Sequence, residues 1–243
     1  MVKTRHTTHM GSIKVQNHIA VQNHCAIQNY RAITFSYASN SEFIKNQGGG
    51  MVGILLAAGF SRRFGTADKL LQTLPDGRLL AVAAAENLIK AIPLTIAVLR
   101  PENTALANLL EHAGLKIVFC GTQETEMADS LSAAVHYSAQ FNESSTGFVI
   151  ALADMPYIQI DTISAVAHEL NAGAAIVAPA YLGKRGHPVG FSAKFRTELE
   201  QLTGDEGARA ILKRHADQIQ LLECNDPGVL ADIDTPQDLT ALL

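Results

Sequence analysis

The sequence predicts an α/β fold, a Rossmann-like three-layer α/β/α sandwich around a mostly parallel sheet. Three observations carry this reading. From Met51 onward, short apolar runs alternate with stretches of helical length. The connections between them are short, as in successive β–α units. The first run, residues 52–56, is apolar and bounded by glycine, as in a strand buried on both faces.

Residues 1–50 read differently from the rest of the chain. They carry an imperfect six-residue repeat, Val15-Gln-Asn-His-Ile-Ala20, Val21-Gln-Asn-His-Cys-Ala26 and Ile27-Gln-Asn-Tyr-Arg-Ala32. Hexapeptide periods build β-helices, but three copies make about one coil, with no neighbour to bury its face. His6, His9, His18 and His24 suit metal binding, yet the simpler reading is a polar, low-complexity extension. No acidic residue precedes Glu42. That bias also suits a transit segment, and a start upstream of the true one or a leader ending in Gly48-Gly-Gly50 gives the same pattern. The expected folded domain is therefore 51–243, with 1–50 disordered or not native.

The predicted strands are 52–56, 94–99, 116–119, 148–152 and 175–178, and the helices between them 79–91, 103–113, 128–140 and 162–171. Right-handed crossovers put the loops after the strand carboxyl ends on one edge, where such sheets bind ligands. Residues 181–189 are rich in Gly and Pro and read as a loop or hairpin over that edge. Helices 193–202 and 207–215 and a strand 219–223 come next. The closing segment 235–243 begins Thr-Pro-Gln-Asp, an N-cap with Pro at the first helical position.

Composition narrows the partners. Apolar residues make up 47% of the 243, enough for a substantial core, and the net charge is −4 with no basic stripe. Nucleic acid is therefore not expected as a partner. The three cysteines, Cys25, Cys120 and Cys224, are widely spaced, which fits a reducing cytoplasm. No apolar run is long enough to span a bilayer.

The chemistry concentrates behind the first strand. Leu56 is followed by Ala57, Ala58 and Gly59, then by Arg62, Arg63 and Lys69. Small residues let backbone approach a ligand, and the cations suit a polyphosphate. Neither G-x-x-x-x-G-K-[ST] nor G-x-G-x-x-G is present. Asp154 follows an apolar strand at its carboxyl end, with Pro156 stopping any immediate helix, and suits Mg²⁺. Its alternative reading as an N-cap is weakened because Asp161 is better placed to cap the next helix. A second carboxylate is offered by Asp232 or Asp234, which share a face if extended. Ser130 lies near a helix start, where Asp129 is a competing cap. Lys184, Arg185 and His187 form a cationic loop suited to an anionic second substrate.

These residues carry a resemblance. Leu56-Ala-Ala-Gly-Phe-Ser-Arg-Arg-Phe-Gly65 with Asp68-Lys-Leu-Leu71 resembles the signature loop of the MobA-like nucleotidyltransferases, relatives of the molybdenum cofactor guanylyl- and cytidylyltransferases. Further matches are Leu152-Ala-Asp-Met-Pro156 and Asp232-Ile-Asp-Thr-Pro-Gln-Asp-Leu239. Gly183-Lys-Arg-Gly-His-Pro-Val-Gly-Phe191 and Gly204-Asp-Glu-Gly-Ala-Arg-Ala-Ile-Leu212 resemble the cytidylyltransferase branch. The resemblance covers 51–243 and implies a fold of the nucleotide-diphospho-sugar transferase type. It implies Mg²⁺ on Asp154 and Asp234, and catalytic roles for Arg63, Lys69 and Asp154. The nucleotide would be held by 56–59 (Leu56, Ala57, Ala58, Gly59), Arg63, Lys69 and Ser130, although Glu126 stands where many relatives have Gly. Arg185, His187 and Glu206 would serve the acceptor. Asp205 offers a helix cap beside it.

The implied reaction joins CMP from CTP to molybdopterin, the acceptor phosphate attacking the α-phosphorus and pyrophosphate leaving. A phosphate monoester is already mostly dianionic, its second pKa being ~6, so no general base is needed. A recipient oxidoreductase of the xanthine oxidase type is the expected partner. The alternatives are GTP or another phosphorylated acceptor, or a non-catalytic carrier of the finished cofactor. A carrier has no use for a pair of metal-binding carboxylates.

Overall fold

Strand β1, Met51–Leu56, lies at the heart of an eight-stranded sheet. The computed structural model describes residues 50–59, 68–121, 127–141 and 145–241. The hexapeptide repeat of the first fifty residues, Arg62, Arg63 and Glu126 lie outside the described residues. After β1 come α1 (Leu80–Ala91), β2 (Thr95–Leu99), α2 (Thr104–His112), β3 (Lys116–Phe119), α3 (Met127–Ser138) and β4 (Gly147–Leu152). Then follow α4 (Ile160–Asn171), β5 (Ile176–Tyr181), β6 (Lys184–Arg185), β7 (Val189–Ser192), α5 (Arg196–Glu200), α6 (Arg209–Arg214), β8 (Ile219–Glu223) and α7 (Asp238–Ala241).

The sheet runs β3-β2-β1-β4-β7-β5-β6, with β8 also paired to β5. Strands β3, β2, β1 and β4 are parallel, and Leu56 is level with both Val98 and Leu152. Side-chain alternation splits the core in two. Leu55 joins the layer of α1, α2 and α4, while Val52 and Ile54 join that of α3, α5 and α6. Each fully buried aliphatic side chain contributes roughly 1.5–3 kcal/mol.

The second half adds a strand to the sequence expectation. Of the loop or hairpin expected at 181–189, the structure has the hairpin, β5 turning through Leu182 and Gly183 into β6; the unexpected part is β7, which then enters the sheet antiparallel between β4 and β5. Pro188, Gly190 and Ser192 hide this strand from composition. Gly190 leaves room for α4 there, since a Cβ would sit 2.6 Å from the Leu170 side chain and 2.8 Å from that of Val166. Strand β5 also runs through Pro179 to Tyr181, beyond the predicted end.

The later helices are shorter than predicted. A 3-10 turn, Ala193–Phe195, leads into α5. Helix α6 begins at Arg209 with no side-chain cap, so Asp205 does not cap it. In the last segment Asp238 does the capping: its Oδ2 accepts from the N–H groups of Asp234 and Thr235 and from the Thr235 hydroxyl. Asp161, expected to cap α4, lies inside its first turn, and Gln159 at the N-cap makes no side-chain cap bond. The buried Asp226, distant in sequence, takes the Gln159 N–H and the Thr162 hydroxyl instead. Among the described residues no helix is long and apolar enough to cross a membrane.

Candidate functional site

The site lies where β1 and β4 end side by side. Ala57 N–H donates to Val98 O at 3.0 Å, and Ala153 N–H to Leu56 O at 3.1 Å. Ala57 and Ala58 are buried in opposite core layers, so their small size answers to packing on both sides of the sheet. Gly59 then emerges exposed, where a Cβ would meet nothing within 4 Å among the described residues.

Lys69 opens a 3-10 turn, Lys69–Leu71, that both carboxylate oxygens of Asp68 hold in place. Asp68 Oδ1 accepts from Leu70 N–H at 3.0 Å, and its Oδ2 accepts from Asn103 Nδ2 at 2.7 Å. Leu70 plugs into the core. The turn aims Lys69 Nζ between two carboxylates, 2.9 Å from Asp154 Oδ2 and 3.1 Å from Asp234 Oδ1. The resemblance implied Lys69 at a triphosphate; the structure gives it these two carboxylates as partners. Burial opposes its charge, but the hydrogen bonds and attraction of Asp154 and then Asp234 outweigh that, so its pKa is raised.

Asp154 and Asp234 meet because two segments are zipped together. Ile233 N–H donates to Asp154 O at 2.9 Å and its side chain is buried. Alternation then turns Asp232 to solvent and Asp234 toward Lys69, so of the two candidates Asp234 joins Asp154. Asn87 on α1 steadies the loop behind Asp154, donating from Nδ2 to Pro156 O and Ile158 O.

These residues fit a divalent cation. Two carboxylates converge on one positive charge, and Asp154 Oδ1 is buried with no hydrogen-bond partner among the described residues. Among the described residues no cluster of three or more His, Cys, Asp or Glu forms a closed metal cage. A hard cation here would take its remaining ligands from water and phosphate, as Mg²⁺ commonly does.

His187 lies within electrostatic reach of Asp154. Its N–H donates to Val229 O at 2.9 Å, and its Nδ1 is buried without a partner among the described residues. Burial pushes its pKa down to about 4; the charge of Asp154 pulls the other way, while Arg185 and Arg209 add to the fall. His187 is therefore neutral at pH 7, and the positive charge expected of this loop comes from Lys184 and Arg185, both exposed. Glu206 is exposed and pairs with Lys213 at 2.6 Å. Its turn is tied to α3 by the Ala128 N–H to Gly204 O bond of 3.3 Å. Ser130 is buried in α3, which starts at Met127, so neither Ser130 nor Asp129 stands before the helix as an N-cap. Sequence reasoning missed Asn87, Asn103 and Asp226; Asp226 in Asn-Asp-Pro-Gly carried only an ordinary turn signal.

Residues 53–219 match the MobA-like NTP transferase domain. The chain is 30% identical to the purine catabolism protein PucB of Bacillus subtilis (strain 168) over 198 residues, covering 77% of this chain and 93% of that protein. It is 29% identical to the nicotine blue oxidoreductase of Paenarthrobacter nicotinovorans over 209 residues, 79% and 96% of the two chains. The crystal structure of Rv0371c from Mycobacterium tuberculosis H37Rv superimposes with a TM-score of 0.68 at 26% identity, covering 81% of this chain and 99% of that one. A manganese complex of Rv0371c has also been solved.

Proposed function

The chain belongs to the MobA-like NTP transferase family, and from that premise we propose that it transfers CMP from CTP to the molybdopterin form of the molybdenum cofactor, releasing pyrophosphate. The observation that carries the reading is the convergence of Asp154 and Asp234 on one cation at the carboxyl end of β4. An enzyme that breaks a triphosphate needs carboxylates there; a carrier does not.

Asp154 and Asp234 are the residues that would hold Mg²⁺, whose contribution when bound is to draw charge from the phosphates. Lys69 and Arg63 neutralise the departing pyrophosphate. Arg185 holds the acceptor phosphate by charge. His187, being neutral, offers a ring nitrogen as a directional hydrogen-bonding group and not as a second positive charge. The acceptor phosphate oxygen attacks the α-phosphorus, one P–O bond forms, the α–β bridge breaks, and the electron pair leaves with pyrophosphate. An oxidoreductase of the xanthine oxidase type is the proposed recipient; xanthine is a purine, so the name of the B. subtilis relative supports that part.

The test is a nucleotide screen with purified molybdopterin cofactor and Mg²⁺, reading pyrophosphate. CTP should be the productive nucleotide. Release with GTP alone, or with CTP only on another phosphorylated acceptor, would overturn the substrate assignment.

A further inference from the structure

Asp226 is a buried carboxylate that the proposed mechanism does not use. It is 2% exposed. A buried charge is costly unless hydrogen bonds surround it, and here they do. Oδ2 accepts from Gln159 N–H at 2.9 Å and from the Thr162 hydroxyl at 2.7 Å; Oδ1 accepts from Gly228 N–H at 3.0 Å. The first two donors open α4, whose N-terminal end favours negative charge. The third opens the 3-10 turn Pro227–Leu230.

That turn touches the segments that carry Asp154 and His187 and leads into the one that carries Asp234. Gly228 lies so close to Tyr157 that a Cβ would sit 2.2 Å from its carbonyl oxygen. Val229 O accepts the N–H of His187, and Gly186 packs on the same carbonyl with equally little room, a Cβ there also falling 2.2 Å away. Beyond the turn, Ile233 N–H closes on Asp154 O. The segment after Asp154, the segment before Asp234 and the backbone of His187 thus share one fastening, and Asp226 stands at its head.

We infer that Asp226 is a positioning residue which sets the spacing of Asp154 and Asp234 by locking residues 226–234 to the start of α4. The inference rests on the reading of those two carboxylates as the cation-binding pair. An amide at 226 would turn its NH₂ against one of the three donors, so Asp226→Asn loosens the fastening while keeping the side-chain shape. Groups that orient metal-binding carboxylates typically account for 10–100-fold in affinity or activity.

The test compares wild type, Asp226→Asn and Thr162→Val. Mn²⁺ binding is followed by electron paramagnetic resonance without nucleotide, and kcat and KM for CTP are measured well below the melting temperature. Asp226→Asn should weaken Mn²⁺ binding and lower kcat by roughly tenfold or more, with KM for CTP within a few-fold. Thr162→Val, which removes one of three bonds, should shift both by roughly three- to tenfold. A folded Asp226→Asn protein that melts earlier but keeps wild-type Mn²⁺ affinity and kcat overturns the inference, because its role is then only structural. If Asp226→Asn does not fold, Thr162→Val decides by the same criterion. Should wild type turn over no nucleotide while Mn²⁺ affinity still falls in the variants, the proposed reaction fails and the positioning role stands.

Discussion

Replacing Lys69 with alanine tests the cation that Asp154 and Asp234 share. Its Nζ lies 2.9 and 3.1 Å from the two carboxylates. Charge-assisted hydrogen bonds are worth about 1.5–3 kcal/mol each when shielded. The Asp154 side chain is 25% exposed and that of Asp234 37%, so water screens them and the net loss on folding falls to about 1–2 kcal/mol. In a domain of roughly 150–250 residues that lowers Tm by about 2–8 °C. The raised pKa of Lys69 gives the sign of the pH dependence. Its contribution is complete below the ordinary 10.5 and is lost as pH climbs through the higher folded value, so the gap between wild type and variant closes only in strong alkali. Ligands separate the roles further. Mn²⁺ alone, freed from competition with the ammonium, should bind about tenfold tighter, equivalent to ~1.4 kcal/mol, while CTP binds more weakly. Calorimetric titration reads both, and added Mn²⁺ should narrow the Tm gap. A folded Lys69→Ala protein with unchanged Mn²⁺ affinity refutes the idea that ammonium and metal contend for the same oxygens.

Asp154→Asn should fold and bind CTP, yet lose orders of magnitude in kcat; near-normal pyrophosphate release by the folded variant would contradict the metal role. Arg185→Ala should raise KM for the acceptor roughly ten- to a hundredfold and leave that for CTP within a few-fold; the reverse pattern would exchange the two halves of the site. His187, whose folded pKa is about 4 against an ordinary 6.5, contributes stability that is present above pH 6.5 and lost as pH falls toward 4, at most ~3 kcal/mol. Denaturation of wild type and His187→Gln at pH 7 and pH 4.5 should show a smaller acid loss in the variant.

The first half of the fold was legible because β1, β2 and β4 are unbroken apolar runs and must be buried on both faces. Strand β7 was not, because Gly190 is chosen for the approach of α4 and not for strand propensity. Asp154 could be read from its position after a buried strand. Lys69 meets Asp154 and Asp234 across separations of 85 and 165 residues, and no local pattern encodes that. Asp161 misled for a related reason: the carboxylate that fastens the start of α4 reaches it from far along the chain. Asn103 carried no signal at all, since its bond to Asp68 depends on how the loop after β2 is folded.

The order of strands has a consequence for how the chain is made. Strand β5 pairs with β6, β7 and β8, and each of these comes after it in sequence. Strand β4 meets β5 only through β7. A nascent chain that has just released β5 from the ribosome therefore has β1 to pair with β4, and β2 and β3 beyond it, but nothing for β5 to join. The strand must wait for the segment that turns back as β6 and β7 before it can enter the sheet. Non-local pairing of this kind delays folding and leaves strand edges uncovered in the meantime. The interval between the synthesis of β5 and that of β7 is thus when a protease or a chaperone would find this protein most open.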